Sequence, residues 1–125
     1  MFESMKHAAK LASVMKDLPK IKTRMGAVRD EMGRRTVQGA SGAGAVTATV
    51  SGKLKVLSIE ISPALVAGFG GQDPAGRAYA ESLVVEAVNI AMEKAQQMVA
   101  EALSQAAREL DLPLPDGMLG ELLGQ

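Results

Sequence analysis

Cysteine is absent from all 125 residues, which excludes disulfides and thiolate metal sites and leaves no sulfur nucleophile. That composition suits a reducing compartment, and cytoplasmic residence is the expectation. Aromatic side chains are nearly absent too: Phe2, Phe69 and Tyr79 are the whole set. Base stacking on single-stranded nucleic acid relies on aromatic faces, so such a platform is excluded. No apolar run approaches the roughly 18–20 residues of a membrane span. The opening stretch MFESMKHAAKLASVMK is amphipathic and charged and has no apolar core of a secretory signal, about 7–15 residues, so no membrane partner is expected. The one histidine, His7, sits in a charged helix start and reads as solvated. No His, Asp or Glu set has metal-ligand spacing. Glu81, Glu86 and Glu93 could share a helix face, but carboxylates so placed are solubilising before they are catalytic. No enzyme, metal, cofactor or small-molecule substrate is therefore expected.

What is present is a chain that should fold. Hydrophobic residues make up 47% of it, mostly Ala, Val, Leu and Met, and its length suits one domain. Net charge is zero, but the charge is unevenly laid out. Residues 1–55 hold eleven basic against four acidic side chains, a net of +7; residues 56–125 hold three basic against ten acidic, a net of −7. An asymmetry of that size points to one end that faces a polyanion, or to halves that attract each other.

Periodicity predicts a helix over residues 3–33. Leu11, Val14, Leu18, Ile21, Met25, Val28 and Met32 alternate spacings of three and four, the pattern of an apolar seam. Pro19 falls inside it, where a proline costs about 3 kcal/mol, so a kink or two abutting helices on one line are expected. Gly33 is a natural stop. Three short strands follow in RTVQGAS, AGAVTATVS and KLKVLSIEIS, with turns at 41–44 and at Ser51-Gly52. The glycines of GASGAGA lead into a strand rather than a helix, and no Gly-Lys-Ser/Thr follows, so they form a tight turn and not a phosphate cradle. SPALVAGFGGQDPAGRA reads as a loop. A second long helix starts near Ala75 and runs to about Leu110, with Val84, Val88, Ala91, Ala95, Met98, Ala102 and Ala106 as its apolar stripe. Residues 1–111 thus form one α+β domain of long helix, three-stranded antiparallel meander and long helix, followed by a Pro/Gly-broken tail over 112–125.

A 30-residue helix is about 45 Å long, whereas a compact globule of this size has a radius of gyration near ~14 Å. A leading helix that overhangs the sheet leaves its seam wet unless a second chain covers it. A two-fold homodimer with Leu11, Val14, Leu18, Ile21, Met25, Val28 and Met32 at its interface is expected, and edge strands could also pair across the axis.

The stretches MFESMKHAAKLASVMKDLPKIKTRMGAVRDEM, VQGASGAGAVTATVSGKLKVLSIEISPALV and, near the end, LPLPDGM resemble the YbaB/EbfC family of bacterial nucleoid-associated proteins. The central block is the most specific part. The resemblance implies a small cytoplasmic α+β protein located at the nucleoid, an elongated tweezer-like homodimer, and double-stranded DNA as partner, bound with little sequence preference in nucleoid organisation or gene regulation. Contact with the phosphate backbone would fall to Lys6, Lys10, Lys16, Lys20, Lys22, Arg24, Arg29, Arg34 and Arg35, whose charges displace condensed counterions. A second reading stays open beside it. In that reading the chain is a non-catalytic dimeric scaffold whose apolar, Met-rich helix faces, with Met5, Met15, Met25 and Met32, bind a protein partner.

Overall fold

The structure, a computed structural model, describes residues 2–69 and 73–110, with side chains described for residues 12, 15–67 and 73–110. The tail over 112–125 lies outside them. Helix α1 spans Phe2–Gly33. It is followed by strands β1 (Thr36–Ser41), β2 (Val46–Ser51) and β3 (Val56–Ile61). A short helix α2 (Pro63–Phe69) and the long helix α3 (Pro74–Glu109) complete the chain. The strands form an antiparallel sheet in the order β1-β2-β3. The chain is α+β, as its periodicities predict.

α1 runs as a single helix through Pro19 and not as the two abutting helices that were one of the expectations there. Thr23 Oγ1 donates to the Pro19 carbonyl at 2.9 Å. Gly33 ends the helix, and Arg34 and Arg35 turn back with their N–H groups on the Glu31 and Met32 carbonyls.

The loop reading of 62–78 is corrected by α2. Pro63 occupies a first helical turn, where its missing N–H costs nothing, and Ser62 caps it by accepting from the Leu65 N–H. α3 begins in the same way: Asp73 accepts from the Ala75 N–H at 3.1 Å and Pro74 follows it.

α3 is the element on which everything else is built. Its buried residues include Leu83, Ala87, Ala91, Ala95, Val99, Leu103 and Ala107, recurring every four positions. This stripe is offset from the sequence-read one. Ala91, Ala95 and Ala106 belong to both, whereas Val84, Val88, Met98 and Ala102 lie half-buried on its flanks. The first half of the stripe packs on Val46, Ala48 and Val50 of the sheet. The second half packs on Met25, Val28 and Met32 of α1. Burying each such Val, Leu or Met side chain is worth about 1.5–3 kcal/mol, so α3 ties the sheet to α1.

The sheet sits unusually close to α3 because the facing residues are small. A Cβ on Gly39 of β1 would lie 2.4 Å from the Ala91 nitrogen and 2.5 Å from the Ala87 carbonyl oxygen, so only glycine fits. Two hydrogen bonds stitch the same strand to the helix. Ser41 Oγ donates to the Leu83 carbonyl at 2.5 Å, and Lys94 Nζ donates to the Gln38 carbonyl at 3.0 Å.

The turn at 41–45 is tight, with Gly42, Ala43 and Gly44 all in the left-handed region at φ 59°, 55° and 90°. The Ser51-Gly52 turn is longer than the two-residue hairpin expected. Four residues, Gly52–Lys55, separate the strands, and Leu54 is left-handed at φ 60°. A bulge follows: Val50 pairs with Val56 but Thr49 with Ser58, leaving Leu57 extra. That explains why the apolar alternation shifts phase between Val56 and Ile59.

Gly39→Val should destabilise the fold by about 2 kcal/mol or more, because the α3 backbone cannot give way. Gly26→Ala, where nothing lies within 4 Å of a new Cβ, should instead stabilise by up to about 1 kcal/mol through helix propensity. Urea titrations of both variants check this, and equal midpoints would contradict the close approach of β1 to α3.

Candidate nucleic-acid interface

Among the described residues no group of three or more His, Cys, Asp or Glu could hold a metal ion, and no helix is long and apolar enough to cross a membrane. What remains is a distribution of charge. Of the sequence-derived contact residues, Lys16, Lys20, Lys22, Arg24, Arg29, Arg34 and Arg35 are all exposed; the side chains of Lys6 and Lys10 lie outside the described residues.

The structure does not bring these cations to one face. With Met25, Val28 and Met32 turned to α3, helical phase puts Lys20 and Arg24 on one flank of α1 and Lys22 and Arg29 on the other. The first flank borders a groove of 320 Å³ between α1 and α3, lined among others by Arg24, Glu31, Arg35, Glu101 and Glu109 over a floor that includes Val28 and Met98. Arg24 is paired there with Glu109 at 3.1 Å, and Arg35 with Glu31 at 3.8 Å. With both partners about half exposed, the Arg24–Glu109 pair contributes on the order of 0–1 kcal/mol. No ion pair with a described residue holds Lys16, Lys20, Lys22 or Arg34.

Two cations outside the sequence-derived set join this end of the molecule. The β2–β3 turn is folded against the end of α1: the Gly52 N–H donates to the Arg35 carbonyl at 3.1 Å. A Cβ on Gly52 would lie 2.0 Å from the Met32 carbonyl oxygen, which leaves room for glycine alone. Leu54 takes its left-handed conformation and packs half-buried against the sheet core, while its neighbours Lys53 and Lys55 are exposed. The aliphatic stem of Lys53 lies across Gly33, with Cε 2.7 Å and Cγ 2.9 Å from where a Cβ would stand. Both lysines count towards the basic half of the sequence, but their strand-like setting gave no reason to group them with α1.

The apolar seam of α1 is covered from within the chain over its second half. Met25, Val28 and Met32 are buried against Val99, Leu103, Ala106 and Ala107, with Ile21 half-buried beside them. Leu18 stays exposed at 41%, and the side chains of Leu11 and Val14 lie outside the described residues. The premise that this whole seam needs a second chain is thereby corrected. Among the described residues, three exposed large apolar side chains cluster on β3. Val56, Leu57 and Ile59 are 43%, 55% and 40% exposed. Val56, Ile59 and Ile61 stand opposite Val50, Ala48 and Val46 and so on the helix-facing side of the sheet, but α3 packs mainly on β1 and β2.

Comparison with known proteins finds nucleoid-associated relatives and a solved structure of the same fold. A nucleoid-associated protein of Chlorobium phaeobacteroides is 39% identical over 107 residues, covering 86% of this chain and 82% of its own. One from Rhodospirillum rubrum is 36% identical, covering 82% and 91%, and one from Pelotomaculum thermopropionicum is 30% identical, covering 82% and 92%. The crystal structure of an uncharacterized protein from Helicobacter pylori shares the fold, with a TM-score of 0.51 at 14% identity over 64% of this chain and 86% of that one. The model of the YbaB/EbfC DNA-binding family, a family of DNA-binding proteins and not of enzymes, matches residues 5–110, and this chain belongs to that family.

Proposed function

We propose that this protein binds duplex DNA as a homodimer, with little sequence specificity, through basic residues of α1, and that it acts at the cytoplasmic nucleoid in DNA organisation and gene regulation. The observation that carries the reading is a helix whose exposed Lys16, Lys20 and Lys22 pair with no described carboxylate, in a chain of a DNA-binding family. The mechanism is electrostatic: each lysine or arginine that meets a phosphate releases a condensed counterion. No base-reading helix signature accompanies these charges, so contacts position the duplex without reading it.

Dimerisation is supported by β3. It is an edge strand with an apolar row that stays exposed among the described residues, and a copy of the same strand can pair with it antiparallel about a two-fold axis. Two copies would carry two α1 arms. A scaffold role remains the competing reading, favoured by the isoelectric point near 6.6 and by the exposed Tyr79 and Val85.

Fluorescence anisotropy on duplexes of unrelated sequence separates the two readings. With about four phosphates neutralised, affinity should fall on the order of a hundredfold between 50 and 200 mM salt and differ little between sequences. Absence of binding at low salt would favour the scaffold. In sedimentation the wild-type chain should run as twice its 13.0 kDa, and Ile59→Lys, which places a charge on the edge strand, should give the monomer. A wild-type monomer at micromolar concentration would overturn the homodimer.

A further inference from the structure

The apolar seam of α1 loses its cover part-way along. From Ile21 to Met32 it packs on Val99, Leu103, Ala106 and Ala107 of α3. The two helices run antiparallel there: Gln38, just beyond α1, meets Lys94, whereas Arg24 meets Glu109, the last residue of α3. Leu110 packs half-buried on the same cluster as Ile21. Residues of α1 before Ile21 therefore run on past the end of α3. Leu18, one turn back on the same helical line, is exposed, and Val14 and Leu11 continue its spacing.

The chain that follows Leu110 has the chemistry to cover this stretch. Residues 111–125 hold Leu112, Leu114, Met118, Leu119, Leu122 and Leu123, with three acidic residues, Asp111, Asp116 and Glu121, and no basic one. Leu112 and Leu114 each precede a proline, which disfavours continuing the helix, and Pro115-Asp116-Gly117 is turn chemistry. Met118, Leu119, Leu122 and Leu123 then recur at the spacing of one helix face. The residues matched to the family end at 110, so this segment lies outside them.

Reach and charge agree. Nine residues from Leu110 to Leu119 extend to about 30 Å, twice the roughly 15 Å of helix between Ile21 and Leu11. Residues 2–22 carry five lysines against Glu3 and Asp17, 5 − 2 = +3, and the tail carries −3. A second copy of α1 laid on the same stretch would instead set +3 against +3, an unfavourable meeting of like charges.

We propose that residues 111–123 turn back onto the first half of the α1 seam, over Leu18, Val14 and Leu11, and that their carboxylates there compete with DNA phosphates for the α1 lysines. The competition rests on the DNA-binding reading above; the docking does not. The tail is then a built-in rival of the polyanion, and a duplex that takes α1 must displace it.

The chain has no cysteine, so introduced pairs report proximity cleanly in the full-length protein. Leu18→Cys with Gly120→Cys, treated with a short bismaleimide, should join within one chain. Lys16→Cys with Gly120→Cys, whose α1 position lies about 160° round the helix from Leu18, should do so about fivefold less, because docking raises effective concentration on one face only. Equal yields on the two faces, or no cross-link, would overturn the docking. A cross-link between two chains would also overturn it and assign the seam to a second copy. Leu119→Ser, Leu122→Ser and Leu123→Ser together remove the apolar face of the tail and leave every charge in place. In the Leu18/Gly120 background this triple change should abolish the cross-link. On its own it should tighten duplex binding, read by anisotropy, about threefold or more at 50 mM salt and by less at 200 mM. Unchanged affinity would overturn the competition. Thermal melts confirm that each variant is folded. Loss of the cross-link result leaves the DNA reading in place, and a wild-type chain that binds no duplex leaves the docking in place.

Discussion

The close approach of β1 to α3 is the constraint on which the rest of the structure depends. Gly39 meets the Ala87–Ala91 backbone at a distance that no side chain tolerates. The alanines at 80, 87, 91 and 95 are fully buried, so sheet and helix touch nearly backbone to backbone. With aromatics almost missing, the chain builds its core from proximity instead of bulk, and dispersion between many small groups takes the place of a few large ones. Close seating of the sheet leaves the second half of α3 free to hold α1, which directs one flank of α1 towards acidic partners and the other towards solvent.

Much of this is legible in the sequence. The 3–4 spacing from Leu18 to Met32 marks α1 to its last residue, and the strand alternation marks all three strands, because each period reflects one buried face. The glycine turn is legible from its context, since a strand and not a helix follows it. Other features depend on contacts made far along the chain. α2 was hidden by the glycines at its C-terminal end, Gly68 in its last turn with Gly70 and Gly71 next in sequence, although Ser62 and Pro63 start it. The true centre of the α3 stripe is carried by Ala87, Val99 and Leu103, and alanine gives weak periodic contrast because it also suits exposed helix surface. The phase shift in β3 is visible as a pattern, but its cause is a bulge set by pairing with β2.

The candidate interface was half legible. The basic character of α1 is written in its composition, whereas the division of its cations between two flanks follows from which face α3 covers. Lys53 and Lys55 could not be grouped with α1 from spacing alone, because about twenty residues separate them from its end. The useful signal was Gly52 with Gly33: two small residues where a turn and a helix end must abut. Charge segregation then has a physical division of labour. A carboxylate on α3, Glu109, pairs with Arg24 on one side of α1, whereas Lys16, Lys20 and Lys22 pair with no described carboxylate.

The first half of α1 has a mechanical meaning of its own. The helix is rooted in the core from Ile21 onwards, and the described side chains before that point, Ala12 and Met15 to Lys20, are all exposed. Phe2 to Ile21 measures about 28 Å along the axis. A beam clamped at one end and that long turns a 10° pivot at the Met25–Met32 root into roughly 5 Å of travel at its tip. A pivot of that kind would carry the helix as a rigid body, with no helical hydrogen bond broken, and the methionines at its root are the side chains best suited to repack around it.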